Sequence, residues 1–247
     1  MNRILFEKGE IEDGVATCGG ERAAHILGVL HGEVGQVLKT GEVDGMIGTG
    51  EIVEIVRGEE PAVRVKVCHD QESLRPWIDL VLAPPRPRVM KRLLPQLAAL
   101  GVGRIVLVGA KKVEKDFWGA TLLKEENHRP LLIDGLMQAG TSILPTLEAR
   151  RNFRRFVETE LDALFPTVRR IVAHPYAAPS RVSLSSRTSL SEDRPLLAIG
   201  PEGGWTDEEV ALLESKGFER YSLGPRILRT DTATIALLAR LGCEQRA

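Results

Sequence analysis

Arg229-Thr230-Asp231-Thr232 puts a fixed cation, a carboxylate and two hydroxyls within one short run. An arginine keeps its charge at any physiological pH and can stabilise an anion that develops during a reaction. An aspartate beside it can orient the guanidinium or accept a proton. The run closes a loop, Leu223-Gly224-Pro225-Arg226-Ile227-Leu228, in which Pro225 stiffens the chain and Ile227 and Leu228 offer an apolar wall. Earlier in the chain, Ile199-Gly200-Pro201-Glu202-Gly203-Gly204-Trp205 supplies three glycines that tolerate φ > 0 and let a ligand reach bare backbone. Neither spacing is a dinucleotide fingerprint or a P-loop, and Glu202 would repel a pyrophosphate. A neutral or cationic ligand group fits better. Each loop alone is also what an ordinary strand-to-helix turn needs, and Asp231 or Thr232 alone can be a helix N-cap. The pair of loops shifts that balance toward a site.

Two such loops meet only if the strands before them are neighbours in a parallel sheet, whose carboxyl edge is where open α/β sheets bind ligands. The rhythm after Trp77 predicts that sheet. Ile78–Ala83, Ile105–Val108, Arg170–Ala173 and Leu196–Ile199 are short apolar strands. They alternate with helical patterns at Arg88–Leu100, Leu131–Met137 and Phe153–Leu164. Gly101 stops the first of these helices. Thr206-Asp207-Glu208-Glu209 reads as a capping box opening a helix that ends by Gly217, and a last helix is expected over Ala233–Leu241. Before the polar linker Gln71–Pro76 the pattern is different. Arg3–Phe6, Gln36–Thr40, Met46–Arg57 and Ala62–Cys68 read as strands separated by turns such as Asp44-Gly45, with one helix, Glu21–Leu30, facing inward through Ala23, Ile26, Leu27 and Leu30. Many short strands in so few residues predict a small barrel. Residues 1–70 and 77–247 are therefore expected to form separate domains, and Arg181–Asp193, polar and serine-rich, an exposed connection.

Composition suits this plan. The 247 residues are 43% hydrophobic and 27% charged, ordinary for a globular chain with a real core. Three scattered cysteines, Cys18, Cys68 and Cys243, fit neither a disulfide framework nor a zinc site. With no signal-peptide pattern and no apolar run of bilayer length, a cytoplasmic protein without membrane or metal partner is expected. The net charge of −1 hides an asymmetry: residues 1–70 carry 7 Lys/Arg against 13 Asp/Glu, and the remainder carries 26 against 21. A polyanion would be drawn mostly to the larger part.

The Gly-Pro-Glu-Gly-Gly loop followed by Leu-Gly-Pro-Arg-Ile-Leu-Arg-Thr-Asp-Thr-Ala resembles the 16S ribosomal RNA uridine-N3 methyltransferases of the SPOUT class. Arg22–Leu30 is similar to the helix of that family's small barrel, and Leu80–Pro84 with Lys91–Val102 to the first strand and helix of its catalytic domain. The resemblance runs nearly end to end. It implies a PUA-like β-barrel followed by an α/β domain with a parallel sheet and a trefoil knot, a homodimer, and the small ribosomal subunit's 16S rRNA as partner. S-adenosyl-L-methionine (SAM) is the implied cofactor. Its contacts would be Leu82, Ala83, Pro84, Ile199, Gly200, Gly203, Gly204, Leu223, Gly224, Ile227, Leu228 and Thr232. Arg229 and Asp231 become the candidate catalytic pair, one stabilising a uracil anion, the other orienting it or taking the proton. Asp231 stands where the family often has Glu, His31 where it often has Arg, and a family arginine near Gln138-Ala139-Gly140 is here Thr141 or absent.

Two basic clusters follow the first two strands of the larger part and are candidates for RNA phosphates: Arg86, Arg88, Lys91 and Arg92, then Lys111, Lys112 and Lys115. The resemblance adds Arg22. Charge runs are more often plain solvated faces. His69, His128 and His174 show no metal spacing, His25 reads as packing, and no nucleophile elbow supports hydrolysis. Two alternatives stay open: a methyltransferase of this fold on another RNA nucleotide, and a non-catalytic RNA-binding or assembly module.

Overall fold

The computed structural model describes residues 2–166, 168–175 and 194–245; the expected connection Arg181–Asp193 lies outside them. The chain divides into two units, one of Met1–Arg75 with Ile133–Leu144, the other of Pro76–Leu132 with Pro145–Ala247.

The first unit holds β1 (Ile4–Phe6), β2 (Ile11–Glu12), β3 (Val15–Cys18), α1 (Gly20–Gly28), β4 (Val37–Glu42), β5 (Ile47–Val56) and β6 (Ala62–Gln71). They form one sheet in the order β1-β4-β5-β6-β3-β2. β1 and β4 run parallel and the other pairs antiparallel. Alternation drives it: Val63 and Val65 are buried while Arg64 and Lys66 face out. The core joins Ile4, Phe6, Ala16, Cys18, Leu38 and Ile52 to Ala23 and Ile26 of α1, with Leu27 and Leu30 packed against it, as the helical spacing predicts. The hairpin β2–β3 escapes a reading by periodicity because its strands are so short. Its signal is Asp13-Gly14, both with φ > 0, as a two-residue hairpin turn requires. Ile133–Leu144 is held to this unit by the amides of Asn2 and Arg3, each 3.0 Å from Met137 O, and by Ser142 Oγ, which donates to Gly45 O at 2.6 Å.

The second unit contains β7 (Ile78–Leu82), α2 (Pro87–Ala99), β8 (Val102–Val108), two 3₁₀ turns (Lys115–Gly119 and Thr121–Leu123) and the start of α3 (Glu125–Ala139). β9 (Thr146–Arg150), α4 (Phe153–Arg155) and α5 (Leu161–Leu164) follow, the two helices joined by a π-helical turn, Phe156–Glu160. β10 (Arg170–Ala173), β11 (Leu196–Ile199), α6 (Asp207–Ser215), β12 (Phe218–Tyr221) and α7 (Thr230–Gln245) complete it. The sheet order is β12-β10-β11-β7-β8-β9, with every pair parallel. This is the α/β fold with a parallel sheet that the alternating pattern predicts. Phe153, Phe156, Val157, Val210 and Leu213 cover the sheet residues Val81, Val106, Val172, Ala198 and Phe218. At roughly 25 cal/mol per Å² of buried apolar surface, such residues dominate the unit's stability. β9 is missing from the sequence reading because it is a polar edge strand, its Arg150 paired with Glu148 and Glu160.

Candidate functional site

The carboxyl ends of β10, β11 and β12 open into a cavity of about 440 Å³. Both glycine-proline loops form its walls: Ile199, Gly200, Pro201, Glu202, Gly203, Gly204 and Trp205 on one side, Leu223, Gly224, Arg226, Ile227, Leu228 and Thr230 on the other. The sequence-predicted contacts Ile199, Gly200, Gly203, Gly204, Leu223, Gly224, Ile227 and Leu228 thus come together. The expected capping box is present: Thr206 Oγ1 accepts from Glu209 N at 3.3 Å, and Thr206 N donates to Glu209 Oε2 at 2.8 Å. The structure adds a second use of that carboxylate. Buried Glu209 also accepts from Lys111 N at 2.7 Å through Oε1, tying the loop after β8 to the glycine loop. Lys112 Nζ then donates to Gly203 O at 2.8 Å.

Glycine is required at two wall positions in particular. Gly204 has φ +69° and Gly224 φ +114°, and a Cβ added at either would meet no protein atom within 4 Å. Backbone there faces open space. Gly200 serves packing instead, since a Cβ would lie 3.0 Å from Trp205 N.

Other predicted residues are placed differently. Leu82, Ala83 and Pro84 are buried at the end of β7 and do not line the cavity. Thr232 is exposed on α7, also off the wall. Helix α7 starts at Thr230, three residues before the expected Ala233. Asp231 therefore lies in its first turn, where a carboxylate suits the helix dipole, and Ala233 N donates to Arg229 O at 2.8 Å. Thr230 is buried and reaches Gly200 O through Oγ1 at 3.4 Å, so the second loop is fastened to the first. Arg229 is exposed beside the wall residues Leu228 and Thr230. Among the described residues it makes no ion pair with Asp231, whose Oδ1 accepts from Thr232 N at 2.9 Å.

Several wall residues were not anticipated: His174 and Pro175 after β10, Tyr221 at the end of β12, Asp207 and Arg226. Burial, then the charge of Arg220, lowers the pKa of His174, against the opposing pull of Asp207 and Glu214. Both the burial and the Arg220 charge favour the neutral imidazole. A strand order would have identified β10 as the third contributor, but sequence spacing does not give strand order.

The basic candidates also separate. Arg22 donates to Glu10 Oε2 at 2.7 Å and to Leu5 O at 2.9 Å, and its guanidinium lies over the Phe6 ring. Arg86 pairs with Glu114 at 2.9 Å, and its amide donates to Glu202 Oε1 at 3.2 Å. Lys111 sits 3.7 Å from Glu208. Arg88, Lys91 and Arg92 are exposed, with no ion pair among the described residues.

A family model described as an RNA methyltransferase domain matches residues 72–242. The ribosomal RNA small subunit methyltransferase E of Treponema pallidum is 31% identical over 97% of this chain and 90% of its own length. The enzyme 1 of the same name from Borreliella burgdorferi is 24% identical over 96% and 95%. A Legionella pneumophila protein solved in complex with SAM superposes with a TM-score of 0.73 at 26% identity, covering 98% of this chain and 97% of that one. The chain therefore belongs to the RNA methyltransferase family, among the ribosomal RNA small subunit methyltransferases E.

Proposed function

We propose that this protein is a SAM-dependent methyltransferase that acts on N3 of a uridine in the 16S rRNA of the small ribosomal subunit. The carrying observation is that the two glycine-proline loops converge on one cavity with Arg229 and Asp231 at its margin. The SAM-bound Legionella relative supports the cofactor, and the named relatives support ribosomal RNA as substrate.

The wall residues fit the cofactor. Bare backbone at Gly204 and Gly224 admits a close ligand, Leu223, Ile227 and Leu228 offer apolar surface to a base, and Glu202 and Asp207 suit a cation. Bound SAM supplies an electrophilic methyl group on a positively charged sulfur. Leu82, Ala83 and Pro84 would act from behind the wall and Thr232 from the start of α7.

N3 of uracil lies between two carbonyls and is a poor nucleophile until its proton leaves. Arg229 stabilises the resulting anion, whose charge spreads over O2 and O4. Asp231, not engaged by Arg229, accepts the N3 proton. Orienting Arg229 is the weaker reading, because no ion pair joins the two.

The finer architecture belongs to the same proposal. The first unit is a PUA-like barrel that reads the ribosomal particle, and the C-terminal chain follows the knotted path that the resemblance implies. Ile227, 74% exposed, with Leu223 and Leu228 also exposed, supports a homodimer that covers this rim. The protein acts in the cytoplasm. The test is methyl transfer from SAM to small-subunit rRNA alongside calorimetric SAM binding. An Arg229→Ala variant that stays folded, binds SAM and methylates at the normal rate would contradict the assignment.

A further inference from the structure

We propose that the cleft between the start of α2 and the 3₁₀ turns after β8 is a phosphodiester-binding subsite, holding the RNA strand a few nucleotides from the methylated base. The proposal rests on the reading of this chain as an RNA methyltransferase.

The cleft has a volume of about 850 Å³ and is distinct from the cavity walled by the glycine loops. Arg88 and Lys91 of α2 line it together with Lys115, and Thr121 and Asn127 add polar groups. Asn127 Nδ2 donates to Thr121 O at 3.0 Å, which fixes that wall. Three cations stand against one carboxylate, Asp116.

The pairing pattern around the cleft is selective. Arg86, Lys111 and Lys124 each have an acidic partner, and the ammonium of Lys112 is held by Gly203 O. Arg88, Lys91 and Lys115 make no ion pair among the described residues. Arg88 and Lys91, three apart on one helix, repel each other, and an anion between them and Lys115 relieves that repulsion. Glu114 and Glu126 are engaged by Arg86 and Lys124, and Asp116 alone cannot balance three cations, so the cleft keeps a net positive charge that draws an anion from outside the chain.

Position gives the cleft its role. It opens at the carboxyl ends of β7 and β8, on the same sheet edge as the cavity at β10, β11 and β12. Neighbouring strands lie about 4.8 Å apart, so the middle of β12-β10-β11 and the middle of β7-β8 are two and a half strand spacings, about 12 Å, apart along the sheet. Glu202, anchored by Arg86 N, stands between them and keeps phosphate out of the cofactor cavity. A strand laid along this edge puts its phosphates in the cleft while its target base reaches Arg229.

The test uses the full chain, a small-subunit rRNA fragment and two triple variants. Arg88→Ala/Lys91→Ala/Lys115→Ala is expected to weaken RNA binding at least about tenfold near 0.1 M salt and to flatten the log–log salt dependence by about 2, at about 0.7 per lost phosphate contact. Its SAM affinity stays at the wild-type value. The charge-conserving Arg88→Lys/Lys91→Arg/Lys115→Arg keeps wild-type RNA affinity. An alanine variant with unchanged RNA affinity and salt slope overturns the proposal. So does weakened binding of inorganic phosphate with RNA binding intact, which would mark a small-anion site. A wild-type protein that binds SAM but no RNA defeats the underlying RNA-methyltransferase reading, and this proposal with it.

Discussion

The cavity at β10–β11–β12 and the cleft at β7–β8 share one sheet edge and differ in what they offer a ligand. The cavity presents backbone, apolar side chains, two acids and Arg226, with its lysine, Lys112, held by the carbonyl of Gly203. The cleft presents three cations that make no ion pair among the described residues. An α/β edge can thus carry two neighbouring sites of opposite preference. What separates them is the balance of charge: Glu202 and Asp207 against Arg226 and a carbonyl-held Lys112 in the cavity, three cations against Asp116 in the cleft. One site is built by geometry, the other by uncompensated charge.

The strongest blow to this division is Arg229→Ala. Losing one stabiliser of a developing anion costs about 100-fold or more in rate, and methyl-transfer assays should show that loss while SAM affinity changes less than about threefold. Next, Gly204→Val forces a β-branched residue to φ +69°, at a cost of about 1–2 kcal/mol. Calorimetry should show SAM binding weakened by about tenfold and RNA binding unchanged, the reverse of the cleft variant. Glu209→Ala orphans the amides of Lys111 and Thr206, and thermal melts should show about 2–3 kcal/mol of lost stability.

Parts of this contrast are legible in the chain. Glycine and proline punctuate the two loops, so eight of the wall residues can be named from sequence. The capping box and the α2 face follow from spacing alone. The contribution of β10 does not, because His174 and Tyr221 become neighbours of Gly200 only through the order β12-β10-β11. Nor does the cleft, where Lys91 and Lys115 meet across a polar stretch whose 3₁₀ turns have no periodic signature. The spacing puts the start of α7 at Ala233 because Asp231 and Thr232 both look like caps, whereas buried Thr230 opens the helix. Ile133–Leu144 carries no mark of its membership in the first unit; backbone bonds to Asn2 and Arg3 decide it.

The smallest expected effect concerns pH. His174 has a lowered pKa, caused first by burial. The unfolded chain therefore takes up this proton first on acidification. Stability from the neutral ring is complete above the ordinary histidine range, near pH 6.5, and declines as the pH falls through the lowered value. A protonated ring also repels a cationic ligand. SAM affinity should be flat above the ordinary range and weaken a few-fold below it, and His174→Asn should remove that dependence.

Mass-spectrometric mapping of modified nucleotides in the small-subunit rRNA, from cells with and without this gene, tests the central claim most directly. Loss of N3-methyluridine at one position, restored by the wild-type gene and not by Arg229→Ala, is the predicted result. Persistence of that nucleotide in the absence of the gene would contradict the proposed function.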